Sequence, residues 1–107
     1  MKTNIRVAKI ELNDELRKYV EDKMEMLEKY LGDIVVTNCD IELEKAIKSQ
    51  NSGNIYRAEV NLSVPGIVLR VEKTEKTIYK AIDKVKDHLA DMIKKYKNKK
   101  IDTKRGK

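Results

Sequence analysis

The sequence predicts an α+β fold of order β-α-β-β-β-α, with a four-stranded sheet and two helices packed on one of its faces. Three observations carry this. Two long stretches place apolar residues at helical spacing along a single stripe. Four shorter stretches alternate apolar and polar residues, the pattern of a half-buried strand. The outward side of those strands is polar, so both helices belong on the other side.

Thr3 to Lys9 reads as the first strand, with Ile5 and Val7 on one face and Arg6 on the other. Asn13 is placed to cap a helix, and Asp14 and Glu15 follow where negative charge favours the dipole. Leu16, Val20, Met24, Leu27 and Leu31 then recur at helical spacing, with Tyr19 and Tyr30 beside them. Gly32 suits the left-handed position that ends a helix, so the first helix is expected over 14–31. Lys23 falls inside the apolar arc, either snorkelling past the core edge or aimed at a partner. Met24 and Met26 read as filler near the interface.

Val35 to Glu44 reads as the second strand, with Cys39, Ile41 and Leu43 inward and Asp40, Glu42 and Glu44 outward. Strand, helix, strand implies a right-handed crossover and a parallel first pair. Lys45 to Asn54 reads as a polar connection ending in the turn cluster Asn51-Ser52-Gly53-Asn54. Tyr56, Ala58, Val60, Leu62 and Val64 alternate with Arg57, Glu59, Asn61 and Ser63. Val64-Pro65-Gly66-Ile67 is a tight turn, and Leu69 and Val71 alternate with Arg70 and Glu72 beyond it, which makes an antiparallel meander. The last helix is expected to open between Lys73 and Thr77 and to end between Lys97 and Lys100, with Ile78, Ile82, Val85, Leu89, Met92, Ile93 and Tyr96 as its stripe. Asp102 to Lys107 is expected to be a disordered polar tail.

Charge narrows the function. The chain has 107 residues, 39% of them charged, and a net charge of +6. Residues 76–107 carry a net +8 and residues 1–75 a net −2, and such segregation is the footprint of a polyanionic partner. The candidate phosphate contacts are Lys80, Lys84, Lys86, Lys94, Lys95 and Lys97 around the last stripe, joined by Lys23 and Lys29 if the helices lie side by side. No run of 18 apolar residues and no apolar leader are present, so neither a membrane span nor a signal peptide is expected. Cys39 is alone, which excludes an internal disulfide and points to the cytosol. Five Tyr with no Phe or Trp argue against a base-stacking surface.

Enzyme chemistry finds no foothold. No Cys/His set has metal-ligand spacing, no glycine-rich loop follows a strand, and the single histidine, His88, has no evident catalytic partner. Asp40, Glu42 and Glu44 imitate a carboxylate site, but a solvated sheet face explains them equally well. No cofactor, metal or small-molecule substrate is expected.

The stretches LRKYVEDKMEMLEKYLGD, YRAEVNLSVPGIVLRVE and, above all, IYKAID resemble ribosome hibernation promoting factors. That family includes the ribosome-associated inhibitor A proteins and is also described as sigma-54 modulation proteins. Tyr79, Ala81-Ile82-Asp83, Leu89 and Lys95-Tyr96-Lys97 stand in register, and the resemblance covers residues 1–99. It implies a ribosome-binding domain over 1–99 that sits on the rRNA of the small subunit, in the channel of mRNA and tRNA. It further implies blocked translation in stress or stationary phase, a cytoplasmic location, and a monomer off the ribosome. Family members often carry basic residues where this chain has Met26, His88 and Asp91. Residues 100–107 fit either a short form's tail or the start of a linker. The order of elements is also that of a double-stranded-RNA-binding domain with an extra first strand, though the Lys-Lys-x-Ala-Lys run of that family is missing. The rival from another class is a regulatory protein-binding module, such as a modulator of transcription, using Asp40, Glu42, Glu44, Arg57 and Arg70 on the sheet.

Overall fold

The computed structural model describes residues 1–49 and 53–105. The elements are β1 (Asn4–Ala8), α1 (Asp14–Glu25), α2 (Glu28–Leu31), β2 (Asn38–Ser49), β3 (Gly53–Val64), β4 (Ile67–Glu75) and α3 (Ile78–Arg105). They form one four-stranded sheet of order β1-β2-β3-β4. β1 runs parallel to β2, as a crossover through the first helix requires, and the other pairs are antiparallel.

Register puts the apolar residues in phase. Cys39 stands opposite Leu62 and Leu62 opposite Leu69, while Ile41, Val60 and Val71 form the next row. These rows join Leu16, Val20, Met24, Leu27 and Leu31 of the first helical segment and Ile82, Val85, Leu89 and Ile93 of α3 in a single buried cluster. Every apolar sheet residue of that cluster lies on one face, so both helices cover that face and leave the other open. Asn13 caps α1 through its Oδ1, which accepts from the backbone N–H of Leu16 at 2.8 Å. Thr77 does the same for α3, its Oγ1 accepting from Lys80 N–H at 3.1 Å.

Five features differ from the sequence expectation. The first helix is interrupted: Leu27 N–H bonds to the carbonyl of Met24, one residue tighter than an α-turn, and separates α1 from α2. The apolar stripe is unharmed, since Met24, Leu27 and Leu31 all remain buried. Met26, expected as filler, is 45% exposed. The second strand starts at Asn38, opposite Ser63 near the end of β3, which leaves Val35 beyond the ladder and exposed. That strand and β3 also run on as a two-stranded ribbon through the pair Ser49–Gly53, beyond the last partner of β1 at Glu44. Lys45 to Asn54 lacks a clean apolar–polar alternation, so it reads as a loop. Asn51 and Ser52 of the expected turn lie outside the described residues, while Gly53 takes φ 71. The last correction is at the C-terminus, where α3 continues to Arg105 through most of the expected tail. Lys and Arg are good helix formers, cations favour a helix C-terminus, and no glycine or proline falls between Ile78 and Gly106. Gly106 and Lys107 lie outside the described residues.

Candidate nucleic-acid interface

Contacts between the first helical segment and α3 fix their relative direction. The Tyr19 hydroxyl donates to Asp83 Oδ1 at 2.6 Å, and the Tyr19 and Tyr79 rings meet edge to face at 4.8 Å. Further along, Lys94 of α3 lies 4.9 Å from the Tyr30 ring. Lys97 Nζ lies 3.4 Å from where a side chain at Gly32 would begin. Residue numbers rise together on both sides, so the helices run side by side in the same direction. All eight candidate lysines belong to this pair, and the packing divides them.

At the end where the helices begin, three of the four candidate lysines are paired with carboxylates. Lys23 Nζ is 3.2 Å from Asp83 Oδ1, with its side chain mostly covered, and lies 5.2 Å from the Tyr19 ring. Lys23 therefore fills the seam between helices and is aimed at Asp83. Lys84 pairs with Glu75 at the end of β4, and this hydrogen bond holds the Glu75 carboxyl below the usual carboxylate range. Lys86 Nζ is 2.7 Å from Asp87. Lys80 alone in this group has no carboxylate within ion-pair distance among the described residues, though its charge also favours the ionised Glu75. The hydrogen bond to Asp83, aided by burial, pushes the Tyr19 hydroxyl up from 10.0 to about 12.

Where the helices end, the four candidate lysines have no carboxylate partner among the described residues. Lys29 and Lys94 come from different helices and both lean on the Tyr30 ring, at 5.0 and 4.9 Å from its centroid. An exposed cation–π contact is worth about 0.5–1 kcal/mol, enough to bias an ammonium group and too little to neutralise it. Lys95 and Lys97 flank Tyr96, whose hydroxyl donates to the Pro65 carbonyl at 2.7 Å and ties the helix to the β3–β4 turn. None of Lys29, Lys94, Lys95 and Lys97 has an ion pair among the described residues. Asp87, His88 and Asp91 lie exposed on α3 between the two groups, so the cationic surface is interrupted there.

The open sheet face is charged and self-paired. Arg57 lies 2.9 Å from Glu72, 3.1 Å from Glu44 and 3.7 Å from Glu59, and also bonds Glu42. Arg70 pairs with Glu59 at 2.6 Å, and Glu59 is 8% exposed. Burial alone would lower the Arg57 pKa, but hydrogen bonds to Glu42, Glu44 and Glu72 outweigh it and drive it up. Glu42 and Glu44 are thus held by Arg57 and are more than a solvated face. Cys39 is fully buried and its thiol is pushed up to about 12 by burial, so it acts as a small apolar residue.

Sequence reasoning missed Tyr30 and Asp83 as members of this surface. Asp83 lies about 130° from the centre of the α3 stripe on an ideal wheel, on its polar side, so its position gave no local sign that another helix meets it. The pairing of Tyr30 with Lys94 depends on the helix offset and has no local signature. Among the described residues, no group of three or more His, Cys, Asp or Glu is placed to hold a metal ion, and no helix is long and apolar enough to cross a membrane.

Comparison with known proteins agrees with this architecture. The family model described as sigma 54 modulation protein / S30EA ribosomal protein matches residues 3–101. A ribosome hibernation promotion factor of Lactococcus lactis is 35% identical over 103 residues, covering 92% of this chain and 51% of that protein. Another from Deinococcus radiodurans is 31% identical over 90 residues, covering 84% and 46%. The chain spans about half the length of these curated relatives. The N-terminal domain of Thermus thermophilus Protein Y superposes with a TM-score of 0.74 at 31% identity, over 88% of this chain and 94% of that one. A ribosomal subunit interface protein from Coxiella burnetii shares the fold, with a TM-score of 0.76 at 19% identity over 92% and 99% of the two chains. With the family model spanning almost its whole length and the same sheet and helix pair recurring in those structures, the chain belongs to the sigma 54 modulation protein / S30EA ribosomal protein family.

Proposed function

We propose that this chain is a ribosome hibernation domain. It binds rRNA of the small ribosomal subunit in the mRNA and tRNA channel, and inhibits translation by occlusion under stress or in stationary phase. The work is done by binding, without turnover of a substrate, and takes place in the cytoplasm. Residues 1–99 form the ribosome-binding unit, a monomer off the ribosome, and 100–107 lead out of it. The relatives named ribosome hibernation promotion factor support this reading. The observation that carries it is the group of four lysines, Lys29, Lys94, Lys95 and Lys97, that have no carboxylate partner among the described residues, at one end of the helix pair. Uncompensated cations on a rigid helical surface suit phosphate, whose neutralisation releases counterions.

The eight lysines do not contribute equally in this reading. Lys23, Lys84 and Lys86 must leave a carboxylate before they meet a phosphate. Such partly exposed pairs are worth about 0–1 kcal/mol each, so up to about fivefold of each phosphate contact is offset. The regulatory-module alternative draws less support, because its Arg57 is already engaged by four carboxylates.

The test is sedimentation of the chain with isolated small subunits at moderate and high salt, alongside synthesis in a cell-free system. Binding should fall steeply with salt, synthesis should drop, and tRNA should compete for empty subunits. Salt-independent binding, or binding with undiminished synthesis, would count against the proposal.

A further inference from the structure

We infer that Tyr30 is a positioning residue for phosphate, holding Lys29 and Lys94 as a two-pronged clamp on the RNA backbone. The inference rests on the nucleic-acid reading above and assigns a role to a residue that makes no phosphate contact itself.

Lysine is ordinarily a poor clamp. Its ammonium sits on a flexible stem with several rotatable bonds, and fixing it on a ligand costs conformational entropy. Here one ring constrains two such stems. Lys29 Nζ lies 5.0 Å and Lys94 Nζ 4.9 Å from the same Tyr30 centroid, so the two ammonium groups stay within about 10 Å of each other, held by the ring quadrupole. The lysines come from α2 and α3, so the clamp bridges the seam and exists only when the helices are docked. Neither has a carboxylate within ion-pair distance among the described residues, whereas Lys23, Lys84 and Lys86 each do. A ring does what a carboxylate cannot, because it orients the cation and leaves its charge uncancelled.

The ring itself is anchored. Tyr30 is half-buried against the core cluster, and the next residue, Leu31, is fully part of it. Gly32 then ends the short helix at φ 57, and the Lys97 ammonium lies against that turn. A third cation therefore stands at the turn that follows the ring. The ligand that matches is a phosphodiester run on one RNA strand, with one phosphate shared by the two prongs or successive phosphates taken one by each.

The experiment is a double-mutant cycle on binding to isolated small subunits and to a 20-residue oligouridylate, at several salt concentrations. Tyr30→Phe keeps the ring and should bind within about twofold of the parent. Tyr30→Leu removes the ring, should weaken binding about three- to tenfold, and should lower the salt slope by up to about one. Lys29→Gln with Lys94→Gln should lose more, and adding Tyr30→Leu to that pair should cost nothing further. A residue that merely stabilised the fold would instead show an undiminished loss in the lysine-less background. The thermal midpoint of each variant is measured alongside. If Tyr30→Leu binds like the parent, or its loss is independent of the lysines, the clamp is refuted while ribosome binding stands. If the parent binds oligouridylate but not subunits, the ribosomal reading falls and the clamp is judged on the oligonucleotide alone. If the parent binds neither, both are overturned.

Discussion

Tyr19 shows how a single hydrogen bond makes the helix pair sensitive to pH. Its hydroxyl donates to Asp83 at 2.6 Å, and the folded state holds that proton up to about pH 12, against 10.0 for an ordinary tyrosine. A raised pKa on a neutral acid means that folding favours the protonated form. The contribution is complete below pH 10 and is lost as pH rises from 10 towards 12. The difference in thermal midpoint between the parent and Tyr19→Phe should therefore be constant from pH 7 to 9 and shrink above pH 10. A difference that grows with pH would show that the hydroxyl is not donating to Asp83. Cys39 gives a second residue-scale expectation. Buried and protonated, it should resist thiol reagents in the native chain and react at once in denaturant. The capping role of Asn13 and the helix-ending role of Gly32 are both legible in the sequence, because each depends only on residues within one turn. The carboxylates around Arg57 are not, because Glu42, Glu44 and Glu72 meet it only through the register of three strands.

At the scale of elements, α3 is both the keystone of the core and the carrier of the cations. Leu89 is fully buried in the middle of its stripe. Replacing it with Ala should cost about 2–5 kcal/mol in denaturant unfolding, the range for a large-to-small change in a packed core. The outer face of the same helix is expected to discriminate between ligands. Asp87 cancels Lys86 at 2.7 Å, and Asp91 follows one turn later. Removing both charges, as in Asp87→Asn with Asp91→Asn, should strengthen binding to nonspecific RNA by severalfold and steepen its salt dependence. Unchanged binding in a filter assay would mean that no phosphate approaches the middle of α3. The stripe that buries Leu89 was readable from periodicity. The split of the lysines was not, because ion pairs such as Lys84 with Glu75 join residues of different elements.

For the molecule as a whole, charge is sorted by face and by end. The sheet face holds Arg57 and Arg70 among the four carboxylates of Glu42, Glu44, Glu59 and Glu72, lysines at the near end of the helix pair meet Asp83, Asp87 and Glu75, and among the described residues the lysines without such partners gather at the far end. Changing Lys29, Lys94, Lys95 and Lys97 together to Gln should remove most of the salt dependence of subunit binding. The corresponding change of Lys23, Lys84 and Lys86 should remove less, and the two sets can be ranked by the slope of log affinity against log salt. Equal slopes for the two sets would show that internal pairing does not discount a lysine. The sequence already showed that positive charge was segregated into residues 76–107, because that is a matter of counting. Which part of it remains uncompensated is a property of the packing.

The parallel pairing of β1 with β2 has a consequence for the order in which the molecule assembles. β2, β3 and β4 are neighbours in sequence, β3 and β4 are joined by the two residues Pro65 and Gly66, and α3 follows at once. Their contacts close short loops and form early. β1 meets β2 only after the chain has passed through both α1 and α2, so its place at the sheet edge is filled late. During synthesis the sequence is reversed: β1 leaves the exit tunnel first and waits, unpaired, until the meander behind it has emerged. Pulse-labelled hydrogen exchange should find the amides of β3 and β4 protected before those of Asn4–Ala8. A nascent chain stalled before β3 should leave that first strand open to protease.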